Sequence, residues 1–264
     1  MQVEKKISQL SNNEKELHLL NWLRRHNIER FIFDLDDTLT PTKPIFDKQA
    51  RLASVLMASL RPEKDSHGWK KEIGAISNRL FEEYSVQKIR WDAITQEMKK
   101  TFNLSETLSS AMQRIFASVY QTPYQMFPEA HDTLAVFKKI NFPMSILTHA
   151  DEAWTWQKYI WFGLDKYIGW EDVHVVAANG HKDARSWKSA CDFYRVNPAN
   201  IASVGDSPRS DILPSLEAGI EKTFLINDPN RWSIHNSPVP DSVHQINHIG
   251  QLVDTIIRLD LENK

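Results

Sequence analysis

The ten residues Phe31 to Thr40, FIFDLDDTLT, decide how the rest of the chain is read. Phe31, Ile32 and Phe33 form an unbroken apolar run, the pattern of a central parallel strand buried on both faces. Asp34, Asp36 and Asp37 then crowd three carboxylates at its carboxyl end. Carboxylates two apart at a strand end resist ionising together, which predicts a cation, a shared proton or both. Alone, the same tripeptide reads equally well as an acidic turn in which an aspartate caps a helix. The other strand ends have to decide.

A chain of 264 residues can hold one large core, or a core with a smaller inserted domain. Charged residues make up 25% and the net charge is −2, so no strong overall field points to nucleic acid or to an anionic membrane. The single cysteine, Cys191, forms no intrachain disulfide, and the N-terminal MQVEKKISQL does not resemble a signal sequence. No apolar run approaches the roughly 20 residues of a spanning helix. These features predict a cytoplasmic protein. Trp154, Trp156, Trp161, Trp170 and Trp187 fall in one stretch and are expected to serve packing or an interface rather than a ligand cage.

Residues 1–28 carry helical periodicity, with Ser11 to Asn13 offering a cap, and predict an amphipathic helix packed on the core or against a second copy. From 45 to 122 the chain reads as successive helices, FDKQARLASVLMASL, WKKEIGAISNRLFEEYS, RWDAITQEMKKTF and SETLSSAMQRIFASVYQT, with breaks at Pro62, His67 to Gly68 and Asn103. So long a helical run after one strand predicts an all-helical insert. After Pro123 strands and helices alternate. Helices are expected over 129–139, 154–162, 186–194, 211–218 and 249–259, and strands over 144–147, 173–177, 201–204, 223–226 and 243–246. That alternation predicts an α/β, Rossmann-like three-layer core with a parallel central sheet. The expected division is a helical extension (1–28), a core (29–44 and 123–264) and the helical insert (45–122).

In open parallel sheets ligands bind beyond the carboxyl ends of the strands. Those positions carry Asp34 and Asp36 after the first strand, Thr148 after the second, Lys182 after the third, and Asp206 with Asp211 after the fourth. Singly, each has an ordinary role as a cap, a turn residue or a solvated lysine. Together they bring carboxylates, a hydroxyl and an ammonium to one edge.

On these residues the chain resembles the haloacid dehalogenase superfamily, in its phosphatase branch with a helical cap inserted after the first strand. The D-x-D-x-T motif stands as Asp34-Leu35-Asp36-Asp37-Thr38, the hydroxyl motif as Thr148, the lysine motif as Lys182, and the G-D-x4-D motif as Gly205-Asp206 with Asp211. The segment MFPEAHDTLAVFKK resembles the usual re-entry from cap to core. Departures are His149 and Ala150 where Asn and Gly are common, and Asp183 where Pro is common. Lys188 rivals Lys182 for the lysine role but falls inside the next expected helix.

The resemblance implies a magnesium-dependent phosphomonoesterase acting on a small phosphorylated metabolite such as a sugar phosphate or nucleotide. Asp34 is the implied nucleophile and Asp36 the implied acid and base, the latter needing a raised pKa that neighbouring carboxylates could supply. Magnesium would be held by Asp34, Asp36 through its backbone carbonyl, and Asp206, with Asp211 acting through water or on Lys182. Thr148, His149 and Lys182 would meet the phosphate. Dehalogenase and phosphonate-cleaving relatives lack the second aspartate, so Asp36 favours ester hydrolysis. Asp37, where many relatives carry Gly, is expected to be structural. Lys88, Arg90 and Trp91 are candidate selectivity residues of the insert. A small phosphoester is the only partner expected, with neither nucleic acid nor membrane, and the chain is either a monomer or a homodimer. The alternative is a catalytically silent phosphate-binding or scaffold protein of the same fold.

Overall fold

A computed structural model describes residues 2–177, 180–229 and 237–262. Helices α1 (Gln2–Gln9) and α2 (Asn12–Arg25) lead into strand β1 (Arg30–Phe33). Four helices follow, α3 (Thr42–Leu60), α4 (Ser66–Tyr84), α5 (Ile89–Phe102) and α6 (Glu106–Ala117). Then come α7 (Pro128–Lys139), β2 (Met144–Ala150), α8 (Glu152–Phe162), β3 (Val173–Ala177), α9 (Ala184–Tyr194), β4 (Ile201–Gly205), α10 (Leu213–Glu217), β5 (Lys222–Ile226), β6 (His244–Ile246) and α11 (Leu252–Glu262).

The strands form one sheet in the order β3-β2-β1-β4-β5-β6, with every described pairing parallel. β1 lies inside it, between β2 and β4, and alternates as a strand buried on both faces must. Phe31 and Phe33 pack with Phe137, Trp22 and Phe224 on one side. Ile32 packs with Leu147, Trp187 and Cys191 on the other. The chain moves outward from β1 through β2 to β3 and then returns to the far side of β1, so the ends of β1 and β4 flank the point where strand order reverses. Ligand crevices form at such points.

The leader is two helices rather than one. Ser11 breaks it, accepting from Glu14 N while the Glu14 carboxylate reaches back to Ser11 N. α2 buries Leu19, Trp22 and Leu23 in the core. Asp260 of α11, wholly buried, pairs with His18 Nδ1 at 2.8 Å and Arg25 at 3.0 Å. α3 to α6 close around their own apolar cluster of Met57, Trp69, Ile73, Ile94, Met98 and Met112.

Two expected elements differ in extent. β2 runs on to Ala150, because Thr148, His149 and Ala150 pair with Val175, Val176 and Ala177 of β3. Thr148 therefore stands inside the strand, not after it. The expected helix over 211–218 begins at Pro208 with a wide π-type turn through Ile212, which swings Asp211 back toward Ser207. Part of the loop after Asp228 lies outside the described residues. No described helix is long and apolar enough to cross a membrane.

Candidate active site

Asp34 follows β1 directly, and its N–H extends the ladder by donating to Val204 O at 2.8 Å. The chain then turns back sharply, with Asp37 at φ +60°, its N–H donating to Thr40 O and its carboxylate accepting from Lys43 N at 2.7 Å. Left-handed backbone explains why glycine suits this position in relatives and why aspartate is tolerated. Asp37 still lines the acidic cavity, so its role in the turn does not remove its charge from the site.

Lys182 joins two strand ends, its buried Nζ donating to Asp34 Oδ1 and Asp211 Oδ1 at 2.6 Å each. Burial opposes the ammonium, but Asp211 and Asp34 outweigh it and hold its pKa above that of an ordinary lysine. Burial, aided by the Asp211 charge and resisted by Lys182, raises Asp34 to about 7. Lys188, in contrast, is exposed on α9.

Gly205 permits the closest approach in the site. A Cβ there would fall 2.4 Å from Asp211 Cβ, so only glycine lets the Asp211 side chain cross the end of β4. Asp211 Oδ2 accepts from Ser207 N at 2.9 Å while Oδ1 takes Lys182, leaving Asp211 committed on both oxygens. Asp206 is buried, and its pKa is pushed well up by burial first and then by Asp211, Asp37 and Asp34.

Asp34, Asp206 and Asp211 bring carboxylate oxygens within 4.8 Å of one another. Three carboxylates against the one ammonium of Lys182 leave two negative charges unmatched when all are ionised. A hard divalent cation with oxygen ligands fits that deficit. Thr148 Oγ1, buried with no hydrogen-bond partner, lines the same cavity. His149 lines it too.

One residue escaped the sequence reading. Lys158 of α8 is completely buried, and its Nζ donates to both oxygens of Asp36, at 2.6 and 2.7 Å. Thr42 Oγ1 donates to Asp36 Oδ1 at 2.5 Å. Asp36 was expected to owe its protonation to neighbouring carboxylates; its nearest charge is instead a cation. Lys158 falls on the stripe of α8 that also buries Trp154, Thr155, Tyr159 and Phe162, and it is the packing of this helix that turns the ammonium inward. Trp154 is buried and packs on Tyr120, ring centroids 5.1 Å apart, and it also lines the cavity. The insert supplies the far wall through Phe46, Phe81, Lys88, Arg90 and Trp91, and Glu82 of α4 meets Arg209 after β4 at 3.3 Å.

A family model for haloacid dehalogenase-like hydrolases matches residues 28–219, which include every acidic group of the site. The chain belongs to this family. It is 24% identical over 204 residues to a glyceraldehyde 3-phosphate phosphatase of Pyrococcus furiosus, covering 75% of this chain and 80% of that one. Among solved structures, a haloacid dehalogenase-like hydrolase from Xanthomonas campestris superposes with a TM-score of 0.67 at 15% identity, over 90% of this chain and 95% of that one. A 2-haloacid dehalogenase from Pseudomonas syringae superposes with a TM-score of 0.54 at 21% identity, over 88% and 99%. Likeness of fold thus spans dehalogenating and other hydrolases, and the choice of reaction rests on the site itself.

Proposed function

We propose that this haloacid dehalogenase-like hydrolase is a magnesium-dependent phosphomonoesterase acting on a small phosphorylated metabolite through an aspartyl phosphate on Asp34. The observation that carries this reading is Asp36, a second carboxylate lining the same cavity as Asp34 and gripped by a buried lysine. A leaving alkoxide needs a proton, whereas a departing halide does not. The phosphatase name of the Pyrococcus relative supports the same choice.

Asp34 attacks phosphorus in line, forming an acyl–phosphate bond as the ester oxygen departs. Asp36, once one of its oxygens has left Lys158 and taken up a proton from solvent, gives that proton to the ester oxygen and so frees the alcohol. It then takes a proton from the water that attacks the aspartyl phosphate, regenerating Asp34 and releasing inorganic phosphate. Lys182 neutralises Asp34 before attack and, with the unpartnered Thr148 hydroxyl, donates to the transferring oxygens as negative charge shifts. Asp34, Asp206 and the Asp36 carbonyl, with Asp211 behind them, would hold magnesium, which would supply charge neutralisation of the phosphoryl group. The insert over 45–122 acts as a cap, excluding water and contacting the leaving group. Turnover of p-nitrophenyl phosphate with and without magnesium tests this reading. A wild-type protein inactive on every phosphoester in a broad panel favours the silent binding protein instead.

A further inference from the structure

Arg90, near the start of α5, is 8 % exposed, so its guanidinium has largely left water. Its Nη1 donates to Ser85 O at 2.6 Å, but its buried Nε has no hydrogen-bond partner. Among the described residues no carboxylate offsets the lost solvation: burial pushes the group down to about 10, opposed by Tyr120. It therefore remains a cation at neutral pH. Phe81 and Trp91 lie 5.0 and 5.3 Å from it, which orients the planar group without neutralising it. Lys88, two residues earlier, places its Nζ 4.7 Å from the Tyr120 ring centre and likewise forms no ion pair among the described residues.

A buried guanidinium without an acidic partner is costly to keep, and an anion that arrives with a ligand removes that cost. Lys88 and Arg90 line the same cavity as Asp34 and Asp36, and Tyr120 is close enough to feel the charges of both Arg90 and Asp36. The cavity is thus acidic on the core side, where a metal and phosphoryl group would neutralise one another, and basic on the insert side, where no carboxylate among the described residues pairs with Lys88 or Arg90.

We propose that Arg90, assisted by Lys88, is an anion-binding subsite, and that the substrate is a phosphomonoester carrying a second anionic group, a carboxylate or a second phosphate. Arg90 lines that cavity, and a guanidinium suits the paired oxygens of either group. This inference rests on the phosphomonoesterase reading above. The competing role for Arg90 is structural: its bond to Ser85 O braces a turn held at φ +49°.

The test compares kcat/KM within three pairs of esters in magnesium: 3-phosphoglycerate with glycerol 3-phosphate, 6-phosphogluconate with glucose 6-phosphate, and fructose 1,6-bisphosphate with fructose 6-phosphate. Wild type is expected to prefer the member with the added anion in at least one pair by on the order of 100-fold, the scale for a buried charge pair. The pair that responds tells carboxylate from phosphate. Arg90→Met should collapse that ratio, and Arg90→Lys should restore part of it. A structural role predicts instead that Arg90→Met lowers both members of each pair equally. If Arg90→Met does not fold, the wild-type ratios and a smaller collapse in Lys88→Gln still decide. Ratios near one in all three pairs, with p-nitrophenyl phosphate turned over, overturn the subsite and leave the phosphomonoesterase standing. No turnover of any ester overturns both.

Discussion

Lys158 and Asp36 form a two-point contact, the lysine Nζ lying 2.6 and 2.7 Å from the two carboxylate oxygens, with the lysine wholly buried. The aspartate belongs to the turn after β1 and the lysine to the helix after β2, so the pair ties the proposed acid and base to the sheet edge. It also means that Asp36 must release one oxygen from Lys158 before that oxygen can face a leaving group. In the proposed mechanism Lys158 is therefore a positioning residue for proton transfer.

Lys158→Met is expected to lower kcat on alkyl phosphates by about 10²- to 10⁴-fold, the usual worth of general acid–base catalysis. The loss on p-nitrophenyl phosphate should be much smaller, because nitrophenolate departs without a proton. Rates measured across a series of leaving groups, with the pH profile of kcat for each, check this. A merely structural lysine would lower every ester alike.

Asp206 and Lys188 separate metal binding from ordinary surface charge. Asp206 is buried among Asp34 and Asp211, whereas Lys188 is exposed. Asp206→Ala should raise the magnesium concentration needed for half-maximal activity by at least about 10-fold, within the range seen when groups supporting a metal are removed, while Lys188→Ala leaves it unchanged. Equal responses in a magnesium titration would mean the metal is held elsewhere.

The same carboxylates make metal-free stability depend on pH. Asp34 rises from 3.8 to about 7 in the folded protein, chiefly through burial, and Asp206 shifts in the same direction. A carboxyl whose folded pKa exceeds its unfolded value contributes stability that is full below the unfolded value and is lost as pH rises through the folded one. Between about pH 4 and 7 Asp34 therefore destabilises the metal-free fold progressively, and Asp206 acts in the same direction. Magnesium competes with the protons they hold, so its increment in Tm should be larger at pH 8 than at pH 5. Equal increments in calorimetry at the two pH values would contradict this.

The sheet edge was legible because each part of it carries its own local sign. An apolar run ending in Asp34, another reaching Thr148 and a third ending in Gly205-Asp206 are patterns of consecutive residues, and the parallel sense of the sheet follows from the alternation with helices. Lys158 was not legible in the same way. A lysine between Gln157 and Tyr159 reads as a solvated group, and only the fold reveals that its helix turns this side chain inward onto Asp36. Trp154 packs as its spacing predicts, but that it also lines the cavity was not legible, since a buried tryptophan and a cavity-lining one have the same periodicity. The left-handed turn at Asp37 is closed by Thr40 and Lys43, which a run of aspartates does not announce, and the extension of β2 through His149 depends on pairing with Val176, distant in sequence.

The most direct test of the central claim is rapid-quench mass spectrometry of the protein with a turned-over phosphoester and magnesium. The account predicts one phosphoryl group on the peptide containing Asp34, formed and lost at rates compatible with kcat and absent in Asp34→Asn, which should also be inactive. A phosphoryl group on another residue, or Asp34→Asn turning over substrate at the wild-type rate, would contradict it.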